Sequence, residues 1–292
     1  MRAYSFCILL MIAPLSSFGA ELTAEQQTAK TQGIVLYNQF KAISATPLLK
    51  IAADAGDHEA QYYLGEAIRK NKRYMTPEAL SAYEASALQG DIYSMIRLAG
   101  DTNDLCVTMG NCPQGRKEPS EWRKMALDSA GAEAAKGNAE AMYLMFQLTG
   151  DDKWLEQSAE NGYAFAQYYL ASGYRNGVGF FLLPSRRADA IERLMKASAE
   201  GGSPLGIMGY VEVLAAKKDY KKLRFWNEKA AEAGYASAVF GFGSYLSENL
   251  SEFEFPYDPV KSYALVLGYL NSMVVVVCRT MPTTYSQESQ KN

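Results

Sequence analysis

A six-fold recurrence constrains this chain more than any other feature of it. With a turn glycine taken as zero, the copies centre on Gly56, Gly90, Gly137, Gly162, Gly202 and Gly234. Three residues before each stands alanine: Ala53, Ala87, Ala134, Ala159, Ala199 and Ala231. Four after it the residue is always small: Ala60, Ser94, Ala141, Ala166, Gly206 and Ala238. Eight after it stands a large apolar residue: Leu64, Leu98, Met145, Leu170, Tyr210 and Phe242. Agreement at three positions in every copy marks an internal repeat.

The phrase has a physical reading. Glycine adopts positive φ at little cost and so ends a helix. Small residues on either side of it let two antiparallel helices approach closely. The larger residue one helical turn further on fills the space where they diverge. A single hairpin cannot bury both its faces, but stacked hairpins can. The expected fold is all-α, an α-solenoid of stacked antiparallel helix hairpins.

The run Trp226-Asn-Glu-Lys229-Ala230-Ala231-Glu232-Ala-Gly234 resembles the helix-turn phrase of Sel1-like repeats, a TPR-like family. So do Ala60-Gln61-Tyr62-Tyr-Leu64-Gly65 and Ala166-Gln-Tyr168-Tyr-Leu170. The resemblance covers roughly residues 44–270, about six repeats and a partial seventh. Copies one, four and six carry it best; the others keep the small-residue skeleton without the Ala-Gln-Tyr signature. The family is defined by packing, so the resemblance implies a superhelix more firmly than an activity.

Residues 1–20 read as a signal peptide. Met1-Arg2 supplies a charge, Phe6 to Leu15 an apolar core too short to span a bilayer, and Ser16 to Ala20 a small-residue cleavage region. A cut within a residue of Gly19 is expected, leaving an exported protein that is periplasmic in a bacterium and otherwise secreted; a buried first helix is the alternative. Beyond that segment no apolar run approaches the ~20 residues of a membrane span. The net charge of −3 gives no footprint for nucleic acid.

Of the four cysteines, Cys7 belongs to the leader. Cys106 and Cys112 share one loop and are expected to form a disulfide in an oxidising compartment. By loop entropy so small a ring gains about 2 kcal/mol. Metal binding is the competing reading, but the loop offers too few ligands and His58, the only histidine, is remote. Cys278 is left over.

Residues 23–43 read as a leading helix opened by the capping box Thr23-Ala-Glu-Gln26. Thr46-Pro47, Thr76-Pro77 and Ser203-Pro204 each read as N-cap and first helical residue. The glycines are spaced by 34, 47, 25, 40 and 32 residues. The longest gap implies an insertion over 100–119 that carries the cysteine pair. The shortest implies a tight turn at Gly150-Asp151-Asp152. The 40-residue gap holds an apolar loop, Phe180, Phe181, Leu182 and Leu183, expected to tuck under the next repeat; an exposed contact patch is the alternative. Past copy six come an acidic aromatic loop, 251–258, and the first helix of a seventh unit. The run Met273 to Val277 could finish that helix, close it as an extended cap, or be an aberrant end.

No catalytic constellation emerges. His58 reads as a solvated residue at a helix start. Gly241-Phe-Gly-Ser-Tyr has the wrong order for a nucleophile elbow, and there is no phosphate loop, His-Glu-x-x-His or calcium loop. No cofactor, metal or catalytic residue is expected, and most Tyr and Trp at repeat positions should be core. The expected partner is another protein. Resemblance to exported Sel1-like proteins implies an adaptor, an assembly factor, or an immunity protein that occludes an antibacterial type VI phospholipase effector. An envelope scaffold, a β-lactamase-like enzyme and a structural oligomer are the alternatives. Candidate contact points are the Cys106–Cys112 insertion and the acidic loop at Glu252, Glu254 and Asp258.

Overall fold

A computed structural model describes residues 21–100, 104–232, 235–248 and 253–271. The readings of the leader with Cys7, of Gly234, Glu252, the 273–277 run and Cys278 fall outside them. Among the described residues there are fifteen helices and no strand. A leading helix, α1 (Ala24–Asn38), is followed by six hairpins. These are α2 (Ala42–Asp54) with α3 (His58–Lys72), α4 (Pro77–Leu88) with α5 (Ile92–Ala99), and α7 (Pro119–Ala135) with α8 (Ala139–Thr149). Then come α9 (Asp152–Glu160) with α10 (Ala164–Arg175), α11 (Pro184–Glu200) with α12 (Pro204–Ala216), and α13 (Tyr220–Glu232) with α14 (Ala236–Ser247). A short α6 (Leu105–Met109) lies in the insertion, and α15 (Pro259–Asn271) ends the array. Each helix packs chiefly on its chain neighbours, the one-dimensional order of a solenoid.

The hairpin turn follows one scheme. Gly56 N–H donates to Ala53 C=O, and Asp57 N–H to Ala52 C=O, a Schellman closure repeated at Gly90, Gly137, Gly162 and Gly202. These glycines have φ from +79° at Gly202 to +96° at Gly90. A Cβ on Gly56 would meet nothing within 4 Å, so conformation rather than crowding selects glycine there. The residue after the glycine opens the next helix as well as closing the last. Asp57, Asp91, Asn138 and Ser203 accept the N–H of Ala60, Ser94, Ala141 and Gly206. One residue thus serves two helix ends, which keeps the turn to its minimum length.

The small positions are the close-approach points. All six alanines before the glycine are buried, and so are all six small residues after it. The large position is looser: Leu64, Leu98, Tyr210 and Phe242 are buried, while Met145 and Leu170 are half-buried against the core. Glycine replaces alanine at 206 because a Cβ there would collide with the Ser198 side chain. Ser198 belongs to a set that ties neighbouring hairpins together. Its hydroxyl donates to Ala164 C=O at 2.5 Å, as Ser86 does to His58 C=O at 2.7 Å and Ser158 to Ala139 C=O at 2.6 Å. Each links the first helix of one hairpin to the first residue of the helix before it.

Two expectations are corrected. Thr46-Pro47 does not open α2, which starts at Ala42 and carries Pro47 in its interior. The extra turn places fully buried Ala45 at the core, and Leu49 packs against Gly33 of α1. That burial outweighs the hydrogen bond the proline forgoes. Thr46 instead donates to Ala42 C=O. The second correction concerns the apolar loop. Phe180 is 86% exposed and Leu182 84%, with Leu183 also exposed. Only Phe181 is partly covered, edge-on against Tyr174. The buried apolar residues of α11 are instead its own Leu194 and Met195. Thr76-Pro77, Ser203-Pro204, the capping box at Thr23 and the tight turn at Gly150 stand as expected.

Candidate functional site

Hairpin geometry sorts the connections onto two edges. The glycine turns lie on one edge. The links between hairpins, including the insertion, the apolar loop and the acidic loop, lie on the other, called here the linking edge.

The insertion between α5 and α7 is firmly held. Asp104 is buried at its start and accepts three N–H groups: Arg69 Nε at 3.2 Å, Met75 at 2.9 Å and Cys106 at 3.0 Å. One carboxylate therefore caps α6 and pins it to α3 and to the link that follows α3. Cys106 and Cys112 form the expected disulfide, with Cα atoms 4.7 Å apart. Cys106 is fully buried beside the core. On the far side Lys117 lies over the buried Trp122 ring. With its base anchored, the insertion turns Leu105, Val107 and Met109 outward, all about half exposed or more.

The acidic loop is built differently. Phe253 and Phe255 pack inward, Phe255 stacked on Tyr245 at 4.9 Å and Phe253 edge-on to the same ring. Asp258 spends its carboxylate on the N–H of Lys261, capping α15. Glu254 stays exposed, at positive φ, and pairs with Arg224 at 3.2 Å. The insertion and the acidic loop share the linking edge but stand four hairpins apart, so they do not form one site. Of the two, the insertion is the one that sets exposed apolar side chains on a base held by Asp104 and the disulfide.

A buried ionic cluster went unread in the sequence. Glu66 of α3 accepts two N–H groups of Arg97 from α5, Tyr83 OH from α4 at 2.8 Å and Tyr37 OH from α1 at 3.0 Å. Burial pushes its carboxyl up, but the Arg97 charge and these hydrogen bonds outweigh that and hold it below the usual carboxylate value. Burial and the Glu66 charge push both tyrosines well up. Gly65 makes room for the Tyr83 ring, which a Cβ would meet at 2.8 Å. The residues that hold Glu66 lie 17 to 31 positions away, so no local pattern announces it. One signal existed: a carboxylate set inside the apolar run Tyr62-Tyr-Leu-Gly-Glu-Ala-Ile68. The cluster is saturated with partners and reads as a lock between the first two hairpins.

His58 is half exposed, its Nδ1 3.9 Å from Asp91, which raises its pKa. Among the described residues no group of acidic, histidine and cysteine side chains could hold a metal ion, and no helix is long and apolar enough to cross a membrane.

Two solved structures are similar to this chain. One is a protective antigen present in uropathogenic Escherichia coli strains displaying an SLR fold, with 20% identity over 91% of this chain and 57% of that one and a TM-score of 0.42. The other is a Sel1 repeat protein from Oxalobacter formigenes, with 18% identity over 82% of this chain and 98% of that one and a TM-score of 0.44. This chain thus spans little more than half the length of the antigen. At these identities the likeness is one of fold, and the fold rests on the hairpins described above. No family model and no curated protein sequence matches the chain.

Proposed function

We propose that this chain is an exported, non-catalytic module that binds another protein, and that in a bacterial periplasm it is an immunity protein neutralising an antibacterial effector of the type VI phospholipase kind. The observation that carries the binding reading is the anchored insertion. Asp104 and the disulfide immobilise its base, so Leu105, Val107 and Met109 are presented with little conformational entropy left to lose. Covering their remaining exposed surface is worth roughly 2–4 kcal/mol before the costs of association. The immunity role is supported by the leader sequence and by the resemblance of the repeats to those of Sel1-like proteins.

The test is affinity capture of the protein from periplasmic extract of its native host, followed by co-expression of the captured partner. A single effector at equal stoichiometry, whose toxicity this chain suppresses, is the expected result. Val107→Ser with Met109→Ser should weaken that complex at least about tenfold. Several envelope proteins at low stoichiometry would point to the scaffold reading instead. Turnover of a β-lactam by the purified protein would overturn the non-catalytic reading.

A further inference from the structure

The apolar loop after α10 is exposed yet carefully built. Arg187 of α11 donates to three backbone carbonyls beneath it: Tyr174 at 2.7 Å, Val178 at 2.9 Å and Gly179 at 2.9 Å. Its guanidinium also lies 4.8 Å from the Phe181 ring centroid, and Phe181 rests on Tyr174. The Val178 N–H closes on Gly173 C=O. The loop's base is therefore held in one conformation by its own hydrogen bonds. Above that base stand Val178, Phe180, Leu182 and Leu183, all exposed. None carries a hydrogen-bonding group, so the tip seeks an apolar phase.

Charge says which apolar phase. Within four residues of the six turn glycines the sequence has nine Asp or Glu and one Lys. Within four residues of all the links from α1 to α15 it has seventeen Lys or Arg and twelve Asp or Glu, and four of those acids lie at the last link alone. The glycine-turn edge is thus acidic, while the linking edge is basic from α1 as far as the start of α13 and turns acidic at the loop before α15, a division the chain's small net charge conceals. The apolar tip projects from the basic stretch of the linking edge, with exposed Arg186 three residues after it. Phe40, 84% exposed, lies on the same edge beside Lys41. Among the described residues only Leu88 stands exposed as a large apolar side chain beside a glycine turn. A nucleic acid would match the charge but offers nothing for Val178, Leu182 and Leu183, which cannot stack on bases. An anionic bilayer matches both, its acyl layer taking the tip and its phosphates the cations.

We propose that the Val178–Leu183 tip, with the basic side chains beside it, seats peripherally on an anionic phospholipid surface. This is independent of the partner carried by the insertion.

The test uses the protein as its native host produces it, mixed with vesicles of phosphatidylethanolamine and phosphatidylglycerol and, separately, of phosphatidylcholine alone. The protein should co-sediment with the first far better than with the second, and added salt should weaken the difference. Phe180→Ser with Leu182→Ser should lower the partition coefficient on the order of 100-fold. Arg186→Ser should lower it about fivefold. Leu88→Ser, on the acidic edge, should leave it unchanged. A tryptophan at 180 (Phe180→Trp) should shift its emission to the blue on the anionic vesicles. Equal sedimentation of wild type and the double variant, or none by either, would overturn the proposal. So would a double variant that loses a dimer or a protein complex while its lipid binding is unchanged.

Discussion

Glu66→Gln removes one charge of the buried cluster and strands the other. Arg97 would keep its place between helices, with a side chain only 17% exposed, but lose its counter-charge. Of the two carboxylate oxygens that accept from Tyr37, Tyr83 and Arg97, one would become an amide NH2 group, from which a tyrosine hydroxyl can accept but to which Arg97 cannot donate. Breaking a buried pair on one side costs about 3–5 kcal/mol. The loss should fall on α1 and the first two hairpins, because helices in such an array answer mainly to their neighbours. Hydrogen exchange is therefore the right assay, with protection falling across α1 and α3 to α5 and holding in α11 to α14. Arg97→Met should cost far less in the Glu66→Gln background than in the wild type, since no charge is then left unpaired. The pH dependence has a defined sign. The Glu66 carboxyl is held below its unfolded value of 4.5, so its stabilisation is fully present above that pH. It is lost as pH falls through the folded value. Wild-type stability should decline in that acid window, and the Glu66→Gln variant should lack that part of the decline. A cost below about 1 kcal/mol for Glu66→Gln, or the same acid decline in both proteins, would refute the reasoning.

Gly206→Ala drives a methyl group into Ser198 and should destabilise by about 1–3 kcal/mol in thermal melts, with Ser198→Ala recovering part of the loss. Gly162→Ala meets no neighbour but keeps a residue at φ +89°, so about 1–2 kcal/mol should be lost through backbone conformation alone. Reducing the Cys106–Cys112 bond should cost about 2 kcal/mol at most by denaturant titration and weaken the protein partner more than the lipid surface. Arg187→Ala should free the loop at Val178 to Leu183 for proteolytic cleavage while the thermal midpoint changes little.

The repeat was legible because its demands are local. A turn at positive φ needs glycine, and two helices in close contact need small residues at set distances from it. Ala53, Ala60 and their counterparts therefore show in sequence what they do in space. The insertion and its disulfide were legible by subtraction, as residues the repeat did not need. Pro47 misled because a local rule, proline at a helix start, met a stronger non-local one, the burial of Ala45 and Leu49 against α1. The Phe180 loop misled for the opposite reason. Its apolar character argued for burial, but α11 buries Leu194 and Met195 while Phe180 and Leu182 stand exposed, a fact of packing no single segment carries. The serine ties lay just beside the alanines that defined the repeat, but their partners are carbonyl groups of another hairpin. The charge division between the edges required knowing which connections share an edge.

Protein binding through the anchored insertion is the central claim, and titration calorimetry with the captured partner tests it most directly. The wild-type protein should bind one equivalent with a single affinity, and Val107→Ser with Met109→Ser should weaken that affinity at least about tenfold while circular dichroism and thermal midpoint hold. An unchanged affinity in that variant, with the same partner still bound, would contradict the assignment of the insertion as the recognition element.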